Sequence, residues 1–193
     1  MKLLILGSDG MLGHVVKIYF EEKGYDVVCT TRRDDKSELY FNITNSVSEI
    51  ERIIKRVQPD VVINCIGILN KVADEHKALA ILINSYLPHY LDEISVENNF
   101  KLIHVSTDCV FDGKTGNYDE MSIPNETSMY GRTKALGEVI NDRSVTLRTS
   151  IVGPDINENG VGLFKWFMEQ EGEVGGYDRV LWTGITTIWF ARC

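Results

Sequence analysis

The sequence lacks the features that mark a membrane, metal-binding or extracellular protein. No apolar run approaches the ~18 residues of a membrane span, and Lys2 leads into a strand-like segment without the apolar core of a signal peptide. The four cysteines, Cys29, Cys65, Cys109 and Cys193, form no C-x-x-C pair and have no histidine at metal-ligand spacing. We therefore expect no metal site, no disulfide framework and no membrane partner. Reduced thiols favour a cytoplasmic protein.

Basic residues are also scarce. Twenty lysines and arginines stand against 28 aspartates and glutamates, which gives a formal charge of −8. This balance argues against a nucleic-acid or anionic-membrane surface, so any phosphate must be bound by local groups. With 193 residues, of which 44% are hydrophobic, the chain can bury one sizeable core.

A glycine-rich turn stands near the start of the chain, GSDGMLG at 7–13. An apolar segment, 3–6, precedes it, and a helix-like pattern follows. Such a turn presents backbone N–H groups at a helix N-terminus, where they bind phosphate. Gly7 permits the turn, Gly10 lets phosphates approach, and Gly13 lets the helix pack on the strand. The G-x-x-G-x-x-G spacing also fits an ordinary βα turn, and both interpretations stay open.

Strand-like and helix-like segments alternate along the chain, without repeats or a low-complexity linker. The run VVINCI at 61–66 is typical of a strand buried on both faces. Helical spacing predicts a helix over 77–94, kinked or broken at Pro88, and another from Tyr130 to about Ile140. The alternation predicts an α/β fold: a Rossmann-type doubly wound parallel sheet with helices on both faces. Ligands of such sheets bind beyond the carboxyl ends of the strands.

Tyr130 and Lys134 are four residues apart in a predicted helix and share one face. If that face lines the ligand edge, the ammonium favours the phenolate and lowers the tyrosine pKa, which suits acid–base chemistry. Thr107 follows a neighbouring strand and could hydrogen-bond the same substrate oxygen. Y-x-x-x-K alone also describes a packed ring beside a solvated amine. Here the motif comes after a dinucleotide-type glycine turn and a hydroxyl at a strand end, and this order along the chain favours a catalytic role.

Five segments carry a resemblance to a known family. They are GSDGMLG at 7–13, VVINCIG at 61–67, HVSTDCVFDG at 104–113, YGRTKALGE at 130–138 and LRTSIVG at 147–153. Together they resemble the extended short-chain dehydrogenase/reductases, and within them the nucleotide-sugar reductases of the dTDP-4-dehydrorhamnose reductase group. The resemblance implies an NAD(P)-dependent oxidoreductase that reduces a 4-keto-6-deoxy nucleotide sugar in dTDP-rhamnose and cell-surface polysaccharide biosynthesis.

The resemblance also implies a catalytic triad. Tyr130 donates a proton to the sugar carbonyl oxygen, Thr107 orients that oxygen, and Lys134 lowers the tyrosine pKa while holding the nicotinamide ribose. The expected cofactor-binding residues are Gly7, Ser8, Gly10, Met11, Leu12, Gly13, Arg32, Arg33, Asn42, Ile43, Cys65, Ile66, Gly67, Tyr130 and Lys134.

Charge after the second strand distinguishes the two cofactors. A carboxylate there accepts from the ribose 2′-hydroxyl of NAD, whereas a 2′-phosphate requires arginine. Arg32 and Arg33 stand at this point, so NADPH is favoured. Asp34 and Asp35 follow closely and leave NADH open.

Asp108, Val110 and Phe111 are the expected substrate contacts. Related dehydratases resemble Thr-Asp-Glu at this place, and Cys109 replaces the glutamate, so dehydration is disfavoured. Reduction remains the main prediction and epimerisation through a keto sugar an alternative. Asp108 equally fits a turn or cap residue. Asn84 fits either the family's structural asparagine or a residue that caps a helix.

Relatives of this kind extend well beyond the length of this chain. We expect residues 1–153 to form the NAD(P)-binding domain and residues 154–193 to begin a substrate-binding lobe that is largely missing. Trp182, Trp189 and Phe190 would then be exposed and could support association, including a homodimer. The regulatory subunit of methionine adenosyltransferase is similar in fold, and a non-catalytic dinucleotide-binding subunit is therefore an alternative.

Overall fold

A computed structural model describes residues 1–33, 39–157, 160 and 162–193. The strands of its main sheet are β1 (Lys2–Leu6), β2 (Asp26–Thr31), β3 (Leu39–Tyr40), β4 (Val61–Asn64), β5 (Lys101–Val105) and β6 (Ser144–Leu147). All pair in parallel, in the order β3-β2-β1-β4-β5-β6. The strand order reverses between β1 and β4, which is the doubly wound arrangement. The predicted α/β fold class is confirmed.

Helices cover both faces of the sheet. They are α1 (Gly13–Glu22), α2 (Glu49–Val57), α3 (Asn70–Glu75), α4 (Lys77–Ala80), a π-helical segment (Ile81–Tyr86), α5 (Leu87–Glu97), a 3₁₀ turn (Asp108–Val110), α6 (Met129–Leu136), α7 (Leu163–Met168) and α8 (Thr187–Arg192). Two further short strands, β7 (Ile151–Val152) and β8 (Ile185–Thr186), pair in parallel outside the main sheet.

Two apolar cores result because neighbouring residues of a strand point to opposite faces. Leu4 of β1 packs with Ile54 of α2 and Leu91 of α5 on one face. Ile5, the next residue, packs with Val16 of α1 on the other face. The carboxyl ends of β1, β4 and β5 consequently share one edge of a sheet that is fixed from both sides.

Two predicted helices differ from the structure. The helix around Pro88 continues through that residue, which lies in the first turn of α5, where its ring and missing N–H are tolerated. The irregular part is the π-helical segment just before it, where the Leu87 N–H donates to the Leu82 carbonyl, five residues back. The helix predicted to about Ile140 ends at Leu136, and Gly137 is its C-cap residue.

The last helix, α8, packs on the core beside α1. Phe190 is only 7% exposed and packs in the cluster of Leu12 and Val16, so the expectation that it is exposed was wrong. Trp182 and Trp189 are exposed, as expected. Because α8 packs into the same core as α1, residues 154–193 do not form a separately packed unit. A domain boundary at residue 153 stays a prediction. No helix in the described part of the chain is long and apolar enough to cross a membrane.

Candidate active site and cofactor cleft

The glycine turn after β1 has the geometry of a phosphate cradle. Gly7 has a φ of 82°, in the region that favours glycine. A Cβ on Gly13 would lie 2.1 Å from the Gly7 carbonyl oxygen, so α1 packs directly on the turn. A Cβ on Gly10 would meet only that oxygen among the described residues, at 3.4 Å, so the turn is open here. No described residue accepts a hydrogen bond from the backbone N–H of Met11 or Leu12.

The segment after β4 lies against this turn. The Ile66 side chain is 3.0 Å from the position that a Cβ on Gly7 would take. Asn64 Oδ1 accepts from the Ile66 N–H at 3.1 Å, and Asn64 Nδ2 lies 3.1 Å from His104 Nδ1. Asn64 therefore shapes the turn and joins β4 to β5, which explains a polar residue in an apolar strand. Burial raises the pKa of the neighbouring Cys65 thiol to about 12, so the thiol is protonated at neutral pH.

Three of the predicted cofactor residues make contacts within the fold. The hydroxyl of Ser8 donates to the Thr30 carbonyl at 3.1 Å and so ties the glycine turn to β2. Asn42 Oδ1 accepts from the N–H and the hydroxyl of Thr44, at 3.1 and 2.8 Å. Ile43 is buried in the core. A direct contact of these side chains with a cofactor stays a prediction.

The predicted arginines follow β2 and differ in their surroundings. Arg33 Nε lies 3.8 Å from Asp9 Oδ2, and Asp9 also accepts a hydrogen bond from the Thr31 hydroxyl. Arg32 is exposed, and no carboxylate of the described residues pairs with it. The two aspartates after Arg33, on which the NADH alternative rested, lie outside the described residues.

Thr107, Tyr130 and Lys134 meet at the carboxyl end of β5. Thr107 follows the strand, its hydroxyl accepts from the Cys109 N–H at 3.1 Å, and it lies close enough to Tyr130 in α6 to lower the pKa of that phenol. Lys134 Nζ donates to the Val105 carbonyl at 2.7 Å and lies 4.0 Å from the position of a Cβ on Gly67. The structure therefore brings the predicted triad together beside the segment that follows β4.

Burial dominates the ionisation of Tyr130 and Lys134. It raises the pKa of Tyr130 to about 12, whereas the neighbouring Thr107 side chain opposes this shift. Burial lowers the pKa of Lys134 to about 8, although the Glu138 carboxylate opposes the shift. The expectation that Lys134 lowers the Tyr130 pKa is wrong for this arrangement. The net shift is upward, and the ammonium that should cause the lowering is bonded to the Val105 carbonyl.

Asn84, in the π-helical segment, positions α6. Its Oδ1 accepts from the Ile68 N–H at 3.0 Å, and its Nδ2 donates to the Ile68 carbonyl and to the Thr133 hydroxyl, at 3.1 and 3.2 Å. The neighbouring Ser85 hydroxyl donates to the Thr133 carbonyl at 2.7 Å. Of the two roles open for Asn84, the structure shows the structural bridge. The π-helix itself had no signature in the residue spacing.

A buried ion pair, which the motif reasoning did not single out, supports the same edge of the sheet. Arg148 binds Glu138 with both branches of its guanidinium, at 2.8 and 2.7 Å. The Ser106 hydroxyl donates to the same carboxylate at 2.9 Å, and the guanidinium lies 5.2 Å from the centre of the Phe111 ring. The available signal was a carboxylate, Glu138, that closes the motif at 130–138, and a guanidinium, Arg148, near the start of the motif at 147–153.

The family model described as the RmlD substrate binding domain matches residues 1–174. The chain belongs to this RmlD family. It is 35% identical over 156 residues to dTDP-4-dehydrorhamnose reductase of Aggregatibacter actinomycetemcomitans, which is 77% of this chain and 51% of that relative. It is 29% identical over 163 residues to methionine adenosyltransferase 2 subunit beta of Xenopus tropicalis, 81% of this chain and 48% of that one.

A solved RmlD-family structure agrees with the fold. It is dTDP-4-dehydrorhamnose reductase from Bacillus anthracis in complex with NADP, with a TM-score of 0.68 and 25% identity. The match covers 78% of this chain and 54% of that one. The chain spans about half the length of the curated relatives that it matches.

The three predicted substrate residues of this RmlD-family chain have different surroundings. Asp108 opens the 3₁₀ turn, and its carboxylate accepts from the Thr107 hydroxyl at 3.3 Å. Val110 is fully buried, so its side chain supports the turn from inside. Phe111 stacks on Tyr118, with ring centres 4.2 Å apart. Of the three, Asp108 is the side chain that contacts the predicted triad.

Proposed function

We propose that this chain is the cofactor-binding part of an NADPH-dependent reductase of a 4-keto-6-deoxy nucleotide sugar, in cytoplasmic dTDP-rhamnose and cell-surface polysaccharide biosynthesis. The observation that carries the proposal is the meeting of Thr107, Tyr130 and Lys134 at the end of β5, in a chain of the RmlD family. Residues 154–193 are proposed to begin the lobe that binds the sugar nucleotide, and a homodimer is proposed as the assembly.

The glycine turn fits a dinucleotide. The backbone N–H groups of Met11 and Leu12 lie just before α1 and can donate hydrogen bonds to a diphosphate, since helix N-termini favour anions. The open space at Gly10 lets phosphate oxygens approach the backbone. Arg32 and Arg33 supply positive charge for the 2′-phosphate of NADPH. The NADP complex of the Bacillus anthracis relative supports this choice, and NADH remains the alternative.

The triad supplies the proton chemistry of a carbonyl reduction. The bound cofactor provides the hydride. Tyr130, whose raised pKa keeps the phenol protonated at neutral pH, donates its proton to the carbonyl oxygen of the sugar. Thr107 lies beside that phenol and orients the same oxygen. Lys134 is held beside Gly67 by the Val105 carbonyl, and there its ammonium can donate to the hydroxyls of the nicotinamide ribose.

The alternatives differ at named residues. Cys109 in place of a carboxylate argues against dehydration, because a second acid–base group is missing beside Asp108. An epimerase would use the same Tyr130 and Lys134. A non-catalytic subunit, the alternative suggested by the Xenopus tropicalis relative, would need the glycine turn but neither Tyr130 nor a buried Lys134 at the end of β5. Lys134 is only 4% exposed, and burying its ammonium group costs free energy of folding. A module that only binds a dinucleotide gains nothing in return for that cost, whereas an active site does.

The test follows NADPH oxidation optically with a panel of keto nucleotide sugars. It uses this chain and a version extended with the C-terminal half of the Aggregatibacter actinomycetemcomitans relative. Tyr130→Phe should abolish turnover and spare NADPH binding, whereas Tyr86→Phe, on an exposed ring of the π-helical segment, should leave turnover unchanged. Turnover that survives in Tyr130→Phe would remove that residue from its role. No turnover by either protein would reject the proposal.

A further inference from the structure

The carboxylate of Asp9 lies at the carboxyl end of β2. Asp9 belongs to the glycine turn after β1, but its Oδ2 accepts the hydrogen bond of the Thr31 hydroxyl, the last residue of β2. The same oxygen is 3.8 Å from Arg33 Nε. The Arg33 N–H also donates to the Thr31 hydroxyl, at 2.9 Å. One carboxylate, one hydroxyl and one guanidinium are thus joined at the end of β2, where the residues that directly follow the strand are the cationic Arg32 and Arg33.

A second contact holds Arg33 in this place. Arg33 Nη2 donates to Asn157 Oδ1 at 2.7 Å, and Asn157 Nδ2 donates to the Asp9 carbonyl at 3.0 Å. Lys165 Nζ donates to the Asn157 carbonyl at 2.9 Å. The guanidinium of Arg33 therefore lies between the Asp9 carboxylate and the Asn157 amide, and Asp9 neutralises part of its charge. With a side chain 20% exposed, Asp9 remains open to a ligand.

The end of the second strand is where folds of this class recognise the adenosine ribose. A carboxylate there accepts from the 2′-hydroxyl of NADH, whereas a 2′-phosphate is repelled by it and requires a cation. We propose that Asp9 is a specificity-determining residue: it supplies from the glycine turn a carboxylate at the carboxyl end of β2, where the strand itself ends in Thr31, and so retains NADH binding and weakens the NADPH preference given by Arg32 and Arg33. The inference rests on the proposed function, because it requires a dinucleotide on the glycine turn.

Calorimetric titration of the 193-residue chain with NADPH and with NADH tests the proposal without turnover. Asp9→Asn keeps an acceptor for Thr31 and removes the charge. We expect the ratio of NADPH to NADH affinity to rise about fivefold, which corresponds to about 1 kcal/mol for one partly exposed charge interaction. Asp26→Asn is the matched control, since it removes the same charge at the opposite end of β2 and should leave the ratio unchanged.

The outcomes separate this inference from the function on which it rests. A ratio for Asp9→Asn equal to that of Asp26→Asn, or a fall in the ratio, overturns the role of Asp9 while the dinucleotide site stands. If the unaltered chain binds neither dinucleotide, both proposals fail. Should circular dichroism show that Asp9→Asn does not fold, Asp9→Ser carries the same expectation, because it also removes the charge and retains a hydroxyl beside Thr31.

Discussion

The ion pair between Glu138 and Arg148 should dominate the stability of the candidate site. The side chain of Glu138 is 6% exposed and that of Arg148 is 18% exposed. Glu138 follows Gly137, the C-cap residue of α6, and Arg148 follows β6, so the pair connects these two elements. Glu138→Gln preserves shape but leaves the guanidinium unpaired. Removing one partner of a buried pair costs about 3–5 kcal/mol, and because Arg148 retains some contact with water we expect about 3 kcal/mol. At the usual urea dependence for a chain of this size, the unfolding midpoint falls by about 1–1.5 M.

Urea unfolding followed by circular dichroism measures this shift. The control is Glu51→Gln, which breaks the exposed helical pair with Lys55 and should barely move the midpoint. Glu138→Gln combined with Arg148→Met should recover part of the loss, since the second change removes the unpaired charge. The reasoning is refuted if Glu138→Gln behaves like Glu51→Gln, or if the double variant is no more stable than Glu138→Gln.

Two further predictions concern Lys134 and the glycine turn. Folded Lys134 loses its proton near pH 8, but its pKa is 10.5 without the fold, so the unfolded state binds more protons between these values. The stability of the unaltered chain relative to Lys134→Met should therefore rise with pH in this window, by up to about 1.4 kcal/mol per pH unit; urea midpoints that differ equally at about pH 7 and about pH 10 would contradict this. In the turn, Gly13→Ala places a Cβ 2.1 Å from a backbone oxygen and should lower the melting temperature, whereas Gly10→Ala, with a 3.4 Å contact, should fold and lose NADPH affinity. Normal NADPH binding by Gly10→Ala would refute the phosphate cradle.

The sequence predicts the sheet because its signals are local. VVINCI reads as a buried strand whatever its neighbours are, and glycines at 7, 10 and 13 specify a βα turn through backbone freedom alone. The placement of Tyr130 near Thr107 also follows, since a helix that comes after a parallel strand begins at the edge of the sheet where that strand ends. Residue type and spacing are therefore enough to predict the order of the strands and helices and the edge of the sheet at which they meet.

The features that the sequence does not reveal depend on contacts between distant residues. Asp9 and Thr31 are 22 positions apart, and a rule that searches for a carboxylate after β2 does not find one that arrives from the first turn. Phe190 reads as an exposed aromatic until α8 is known to lie on α1. The π-helical segment carries Asn84, which bridges to Thr133 in α6, 49 positions away, and neither the segment nor the bridge has a periodic signal.

The pKa values of Tyr130 and Lys134 also depend on contacts with distant residues, and they bear on function as well. The motif implies that an ammonium lowers the tyrosine pKa, but here burial shifts both groups toward their neutral forms. Two neighbouring groups held away from their ordinary pKa by burial form an arrangement that costs stability, and such arrangements concentrate at catalytic sites. The surrounding structure offsets that cost through the Val105 carbonyl on Lys134 and the Glu138 charge that favours its protonation. Glu138 therefore links the stability of the fold to the charge of Lys134, since one carboxylate serves both.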